Sequence, residues 1–168
     1  MLARPYMLTA TAVTAAAATA AVLAAGGSAQ APGTRTLTFR ETDRGSTFAA
    51  VDNPPRSRSR RGFPTRFSAG DTLAFSQPLI QGSGPATGTL HATCTATTGR
   101  AQRFERVVFE CHGTTTLPNG TITLEGAVRF GDEHAIIAVT GGTGAYTGAR
   151  GTFTSAGNPS TDTFTLLP

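Results

Sequence analysis

Few residues of this 168-residue chain have types and spacing suited to catalysis. The residue types and spacings that are missing exclude most common mechanisms. All 14 basic side chains are arginines, so no lysine can serve a P-loop, a Schiff base or a kinase-type phosphate clamp. The histidines at positions 91, 112 and 134 lack the spacing of metal ligands. The glycines beside Ser83 are its immediate neighbours, which is not the Gly-x-Ser-x-Gly pattern of serine hydrolases. We therefore expect no metal and no cofactor.

A second group of charged residues lies between Pro54-Pro55 and Gly70, in a segment without apolar alternation. It contains Arg56, Arg58, Arg60, Arg61 and Arg66. One interpretation is a patch that binds a polyanion or a membrane surface. The other is a solvated, flexible loop over residues 56–69, which we favour because no aromatic or helical pattern accompanies the charge. The net charge of +4 is mild, and we expect no nucleic-acid partner.

The N-terminal residues have the features of an export signal. Arg4 precedes an uncharged run rich in Ala and Thr over residues 7–25, and small residues follow as far as Ala31. This pattern predicts a signal peptide at residues 1–31, cleaved after Ala29 or Ala31, and a secreted protein without stable membrane insertion. The alternative is a transmembrane anchor, for which the run is nearly long enough. Exclusive use of arginine beside so much Ala and Thr is typical of a G+C-rich bacterial genome.

The remaining residues 32–168 suffice for one domain, and their pattern is that of β-strands. Short alternating segments rich in Thr and Phe are separated by Gly, Pro and Asn. They predict eight or nine antiparallel strands and no helix, near residues 35–41, 46–51, 71–76, 86–96, 106–116, 121–130, 134–140, 149–155 and 161–166. Residues 117–120 (LPNG) form a predicted hairpin turn. So many strands in so short a chain indicate a barrel or a sandwich.

The two cysteines fix a register for one predicted hairpin. If Cys94 faces Cys111, then Ala92 faces Gly113, and the apolar residues of both strands share one side. That side would hold Leu90, Ala92, Cys94, Ala96, Val107, Phe109 and Cys111. In an exported chain, a Cys94–Cys111 disulfide is the natural inference. The competing interpretation is that Cys94 is a buried thiol facing a cavity.

Three segments together resemble the barrel family of allene oxide cyclases and its neighbours, the dirigent proteins. Residues 70–75 (GDTLAF) resemble one family strand, and residues 88–94 (GTLHATC) resemble the next. Residues 138–151 (AVTGGTGAYTGARG) are similar to the glycine-rich segment of both groups, with Tyr146 in place of the usual Phe. The resemblance implies a single eight-stranded antiparallel β-barrel, commonly trimeric, whose apolar lumen folds a flexible substrate into one reactive conformation.

The resemblance also suggests site residues. The catalytic glutamate of the cyclases falls on Thr38, their asparagine on Arg40 and their proline on Thr47, and only their serine is retained, as Ser46. These departures point to a substrate other than an allene oxide. Arg40 would hold a carboxylate or enolate if it turned inward, although its parity favours an outward, solvated position. Tyr146 would either offer its hydroxyl at the barrel mouth or plug the barrel end.

Further residues complete the expected site. Arg150 matches the dirigent arginine, with a surface ion pair as the alternative. A lumen of this kind would be lined by apolar side chains, for which the candidates are Phe39, Phe48, Phe75, Leu90 and Phe109.

Two functions from different classes remain open at this point. One is a cofactor-free cyclase, isomerase or dirigent-type guide acting on an apolar small molecule. The other is a non-catalytic, lipocalin-like carrier of such a molecule; a lesser possibility is a barrel filled by its own Phe side chains. Titratable groups inside the lumen would favour the enzyme, whereas a wholly apolar lumen would favour the carrier or the filled barrel.

Overall fold

The computed structural model describes residues 33–54, 56, 59–60, 63–98, 102–157 and 160–168, so the predicted signal peptide lies outside the described residues. Eleven strands occur in this order: β1 (Arg35–Glu41), β2 (Thr47–Val51), β3 (Ser59–Arg60), β4 (Phe63–Pro64), β5 (Thr72–Ile80), β6 (Ala86–Ala96), β7 (Val108–Leu117), β8 (Gly120–Arg129), β9 (His134–Gly142), β10 (Gly151–Gly157) and β11 (Ser160–Leu166). No helix within the described ranges is long and apolar enough to cross a membrane.

Eight of the strands close into an antiparallel barrel, as predicted. Neighbours from β5 to β11 pair in sequence order, and β11 pairs with β1. The barrel closes where β1 meets the end of β5 through two residue pairs, Arg40 with Ile80 and Glu41 with Leu79. Residues 72–76 of β5 pair with β2 instead. β1 and β2 therefore share one edge of β5, with a tight corner at residues 42–46 between them.

The predicted cysteine register is confirmed. Cys94 pairs with Cys111 across β6 and β7, Ala92 pairs with Gly113, and the two cysteines form a disulfide. The predicted turn between β7 and β8 is also present, with Leu117 opposite Gly120. Gly120 has φ of +141°, a conformation that side chains other than glycine rarely adopt.

Three local features differ from the sequence prediction. β5 continues through Pro78 to Ile80, because Pro78 lies at the corner where its carbonyl accepts a hydrogen bond from the Thr42 N–H. Two single-turn 3-10 helices, Phe104–Arg106 and Gly144–Tyr146, occur where no helix was predicted. Within the predicted loop at residues 56–69, β3 and β4 form a short hairpin, and Phe67 is fully buried.

The barrel interior contains two apolar clusters. The first fills the end that carries the β9–β10 connection, and its members include Leu37, Phe39, Leu117, Ile122, Tyr146, Phe164 and Leu166. The second lies toward the opposite end, around the disulfide, and includes Phe67, Leu73, Cys94, Val107, Phe109, Cys111 and Val128. We call the end with the first cluster the closed end and the end with the second cluster the mouth.

Candidate functional site

A cavity of about 460 Å³ lies inside the barrel, between the two apolar clusters. Its wall is mostly apolar, with Leu90, Leu124, Ile137 and Phe153 among the lining residues. Such a volume falls within the range of small-molecule sites. The polar residues that face it, including Glu41, Ser46, Gln77, Ser155 and Ser160, come from strands on both sides of the β1–β11 seam and from the β1–β2 corner.

Two carboxylic acids meet at this seam. Glu41 ends β1 and lines the cavity, while Asp162 lies on β11 opposite Phe39 and is 0% exposed. Both belong to the inward-facing positions of their strands, because Glu41 follows Leu37 and Phe39 at alternate residues. The barrel closure therefore brings two acidic side chains into a largely apolar interior.

The environment of Asp162 favours its neutral, protonated form. Burial raises the pKa of Asp162 to about 7, and the nearby charge of Glu41 adds to this effect, while the Ser155 hydroxyl opposes it. Burial also raises the pKa of Glu41 above its ordinary value. Ser155 and Glu41 are close enough to affect these pKa values, yet no donor among the described residues reaches either carboxylate oxygen of Asp162 with hydrogen-bond geometry.

Asp71 is a second buried acid, and its carboxylate accepts hydrogen bonds that hold the local structure together. Asp71 is equally buried, but its carboxylate accepts hydrogen bonds from the backbone N–H groups of Asn53 at 2.8 Å and Ser68 at 2.7 Å. The Ser68 hydroxyl adds a longer contact at 3.3 Å. Asp162 has the same burial, but its polar neighbours are the Ser155 hydroxyl and the Glu41 carboxyl group in place of backbone N–H groups.

No cationic side chain described in the structure neutralises this pair. Every arginine whose side chain is described is exposed, and so are all three histidines. Where a metal site is concerned, the described residues contain no cluster of three or more suitable ligands. The absence of a counter-charge among the described side chains agrees with the raised pKa values of both acids.

Phenylalanines surround the mouth of the cavity. Phe48, Phe75, Phe104 and Phe130 line it, and Phe104 stacks on Phe130 with ring centroids 4.9 Å apart. Phe48 is 53% exposed and contacts Phe63 from the β3–β4 hairpin. The mouth thus offers aromatic faces to a molecule that enters the lumen.

Four of the predicted catalytic and ligand-lining residues line the cavity, as do the two disulfide cysteines. Phe48, Phe75 and Leu90 contribute apolar surface, as expected from their parity. Ser46 lies at the β1–β2 corner, where its hydroxyl donates to the Asp43 carbonyl at 2.8 Å. Ser46 is the one predicted catalytic candidate that the structure brings to the cavity.

The other catalytic candidates lie elsewhere. Arg40 is exposed on the outer side of β1, because its inward-facing neighbours are Phe39 and Glu41. Tyr146 is buried in the closed-end cluster, beneath the Arg35 guanidinium at 5.3 Å, and so plugs that end. Arg150 is exposed and donates to the Pro168 carbonyl at 2.7 Å, in place of the surface ion pair considered above.

Two predicted lining residues instead belong to the packed core. Phe39 makes an edge-to-face contact with Phe164, with centroids 5.8 Å apart, in the closed-end cluster. Phe109 is fully buried against Phe67 near the disulfide. Inward parity alone does not distinguish a core position from a cavity wall, and both rings are covered by other rings.

A second, wider depression of about 700 Å³ lies on the outer face of β2 and β5 to β9. Its residues include His91, His112 and Glu125, and the His112 Nδ1 lies 3.8 Å from a Glu125 carboxylate oxygen. Both partners are more than half exposed, so the interaction is screened by solvent. The inner cavity, with its buried acids, is the stronger candidate for chemistry.

A closed antiparallel barrel with an internal apolar cavity and buried acids defines the structural class of this protein. A family model for the allene oxide cyclase barrel-like domain matches residues 57–164. The chain therefore belongs to the allene oxide cyclase barrel-like family, as the sequence resemblance predicted. A comparison with curated protein sequences gives no match.

Solved structures share the fold at low sequence identity. A pyocyanin demethylase superimposes with a TM-score of 0.60 at 20% identity, covering 79% of this chain and 100% of that chain. A pterocarpan synthase dirigent protein gives 0.59 at 16% identity, with 82% and 95% covered. A Diels-Alderase from Streptomyces koyangensis gives 0.53 at 14% identity, with 82% and 71% covered. At such identities these similarities establish the fold alone.

Proposed function

We propose that the lumen binds an apolar small molecule and guides its cofactor-free cyclisation or isomerisation, with Glu41 as the acid–base group and Asp162 beside it. The observation that carries this proposal is a mostly apolar cavity lined by the acid Glu41, with the fully buried Asp162 beside it. A barrel that only stored an apolar molecule would need no titratable group there. A barrel filled by its own side chains would not retain a cavity of about 460 Å³.

The cavity wall supplies the first part of the catalysis. A flexible substrate that enters between the mouth phenylalanines has to fold to fit the space between Leu90, Leu124 and Phe153. When the reacting atoms are already held near one another, the entropy loss has occurred on binding and no longer adds to the activation barrier. This contribution requires no cofactor.

Glu41 supplies the second part, because it is the acid that lines the cavity. Burial raises the pKa of Glu41, and the side chains of Ser160 and Asp162 oppose this effect. In an isomerisation, the Glu41 carboxylate accepts a proton from one substrate atom and returns it to another. The substrate gains and loses one proton, so the step needs no oxidant or reductant, and Glu41 ends in its starting state.

Export of the protein is part of the proposal. The Cys94–Cys111 disulfide supports an oxidising compartment, in which such bonds persist. The substrate would then be a molecule released from the cell or taken from its surroundings. A trimeric assembly, which the family resemblance implies, would leave each lumen with its own pair of acids.

The test begins with residues 32–168 purified from the medium of the native host. Small molecules that co-purify are extracted and identified by mass spectrometry, and the complex is incubated to follow their conversion. We expect a wild-type product of unchanged elemental composition, and the same molecule bound but unconverted in a Glu41→Gln/Asp162→Asn double variant. Unchanged recovery from the wild type would indicate a carrier instead. Absence of any bound molecule or measurable cavity would contradict both functions.

A further inference from the structure

Arginines are concentrated at the mouth of the barrel. Its two long connections, residues 52–71 between β2 and β5 and residues 97–107 between β6 and β7, contain eight of the 14 arginines and three of the ten acids in their sequence. One of these acids, Asp71, is buried and accepts hydrogen bonds. The connections at the closed end contain one arginine and no acid; they are residues 81–85, 118–119 and 143–150. The two ends of the barrel therefore differ in charge.

The described arginine side chains of the two mouth connections are exposed. They are Arg56, Arg66, Arg103 and Arg106. The described part of the same connections contains one exposed acid, Glu105. Arg129, at the end of β8, is also exposed, but its guanidinium lies 3.7 Å from the Asp132 carboxylate. The excess of positive charge therefore lies on the β2–β5 and β6–β7 connections.

Four phenylalanine rings form a row across the same end. Phe48 packs on Phe63 with ring centroids 5.5 Å apart, Phe63 on Phe104 at 5.9 Å, and Phe104 on Phe130 at 4.9 Å. The two terminal rings of the row are exposed, Phe48 at 53% and Phe130 at 37%. Val51, the last residue of β2, adds a side chain that is 56% exposed. Exposed apolar side chains beside positive charge are typical of an interaction surface.

We propose that the mouth docks reversibly on an anionic lipid membrane, with its arginines against the headgroups and its exposed rings at the edge of the hydrocarbon. Phenylalanine beside arginine is a composition that suits a membrane interface. Charge alone would equally suit a soluble polyanion, but a polyanion offers exposed rings no apolar phase. Sequence alone shows no aromatic pattern beside these arginines, whereas the fold adds rings from β2, the β6–β7 connection and the β8–β9 turn. This inference goes beyond the proposed function and does not depend on it.

Docking in this orientation places the opening of the lumen on the bilayer. Phe48, Phe104 and Phe130 belong to the row of rings and also line the inner cavity. An apolar molecule dissolved in the bilayer would then move along ring surface into the lumen. Passage through water, which is unfavourable for an apolar molecule, would be avoided. The same rings would thus serve both docking and entry.

The charge contribution is tested by cosedimentation of residues 32–168 with vesicles of equal parts phosphatidylcholine and phosphatidylglycerol at low salt. Each arginine near an anionic surface strengthens binding about fivefold, so Arg103→Gln/Arg106→Gln should bind at least about tenfold more weakly. Pure phosphatidylcholine vesicles should bind the wild type weakly, because they lack the charge. The matched control, Arg35→Gln/Arg150→Gln, removes two exposed arginines from the closed end and should bind as the wild type does.

The ring contribution is tested with Phe48→Ser/Phe130→Ser. We expect severalfold weaker binding to the mixed vesicles and unchanged binding to dextran sulfate, a soluble polyanion without an apolar phase. Circular dichroism checks that each variant is folded. Val51→Ser, at an exposed position of the same end, repeats the vesicle measurement if the double variant does not fold.

Three results would overturn the proposal. The first is that the folded wild type does not bind the mixed vesicles. The second is that the closed-end arginine variant loses as much affinity as the mouth variant, since the attraction would then depend on net charge alone. The third is that the folded ring variants bind the vesicles as the wild type does, which would identify a polyanion site. Each of these results leaves the proposed function intact, because binding in the lumen is measured by co-purification.

Discussion

Replacing Asp162 with asparagine should stabilise the protein above neutral pH and have little effect near pH 3. The pKa of Asp162 is raised from 3.8 to about 7 in the folded chain. As the pH rises between these values, the unfolded chain has already lost the proton that the folded chain retains. The free energy of unfolding therefore decreases over this window, and the loss is complete above it.

The magnitude follows from the size of the shift. A difference of about 3 pKa units corresponds to about 4 kcal/mol, which is an upper value for the gain in Asp162→Asn at mildly alkaline pH. For a domain of this size, a gain of that order raises the melting temperature by about 10 °C. Near pH 3, where both the folded and the unfolded wild-type chain hold the proton, the variant and the wild type should melt together.

The assay is thermal unfolding, followed by far-ultraviolet circular dichroism because the chain has no tryptophan, at a series of pH values. Subtracting the two curves cancels the titration of the groups that do not interact with Asp162, which leaves Asp162 and its neighbour Glu41. Asp71→Asn is the matched control, because Asp71 is equally buried but has hydrogen-bond donors. It should lose about 1 to 3 kcal/mol at neutral pH. A wild-type minus Asp162→Asn difference that did not vary with pH would refute the reasoning.

Three further changes have expected outcomes. Replacing Cys94 and Cys111 together with alanine should cost about 3 kcal/mol in urea unfolding, since the disulfide closes a loop of sequence separation 17; intact mass of the wild type should rise by about two mass units on reduction, and an unchanged mass would show that no bond had formed. Gly142→Ala should destabilise the protein by about 2 kcal/mol or more in the same assay, because its Cβ would collide with two backbone carbonyls, whereas Gly84→Ala, which meets nothing within 4 Å, should not; equal stability of the two variants would contradict the packing described. Ala92→Phe places a ring in the cavity and should reduce the amount of co-purifying small molecule at least tenfold while the chain stays folded; an unchanged amount would show that the molecule binds elsewhere.

The sequence contains enough information to predict the barrel and one of its registers. Alternation located most strands, and the assumption that Cys94 faces Cys111 gave every pair along β6 and β7 correctly. That success has a physical origin, because a disulfide across neighbouring strands allows a single register. The Arg-rich segment was harder, since β3 and β4 are two residues long and the burial of Phe67 depends on contacts with distant rings.

The proximity of Glu41 and Asp162 was not predicted from the sequence. Glu41 continues the inward parity of Leu37 and Phe39, and Asp162 continues that of Phe164, so the signal for each acid was present. Their meeting could not be predicted, because it depends on which strand closes the barrel and in which register. The family alignment pointed to Thr38, which is exposed on the outer side of β1. The residues with perturbed pKa values were found only when the seam was known.

The seam also determines when the barrel can be completed. β1 pairs with β11, the strand nearest the end of the chain, while the other barrel pairs except β1–β5 join consecutive strands. Joining segments so far apart in sequence carries the largest loop-closure entropy in the molecule. A nascent chain can form its hairpins as they are synthesised, but it cannot enclose the lumen until its final strand is available. Enclosure and the assembly of the Glu41–Asp162 pair are therefore the same event, so the site exists only in the finished protein.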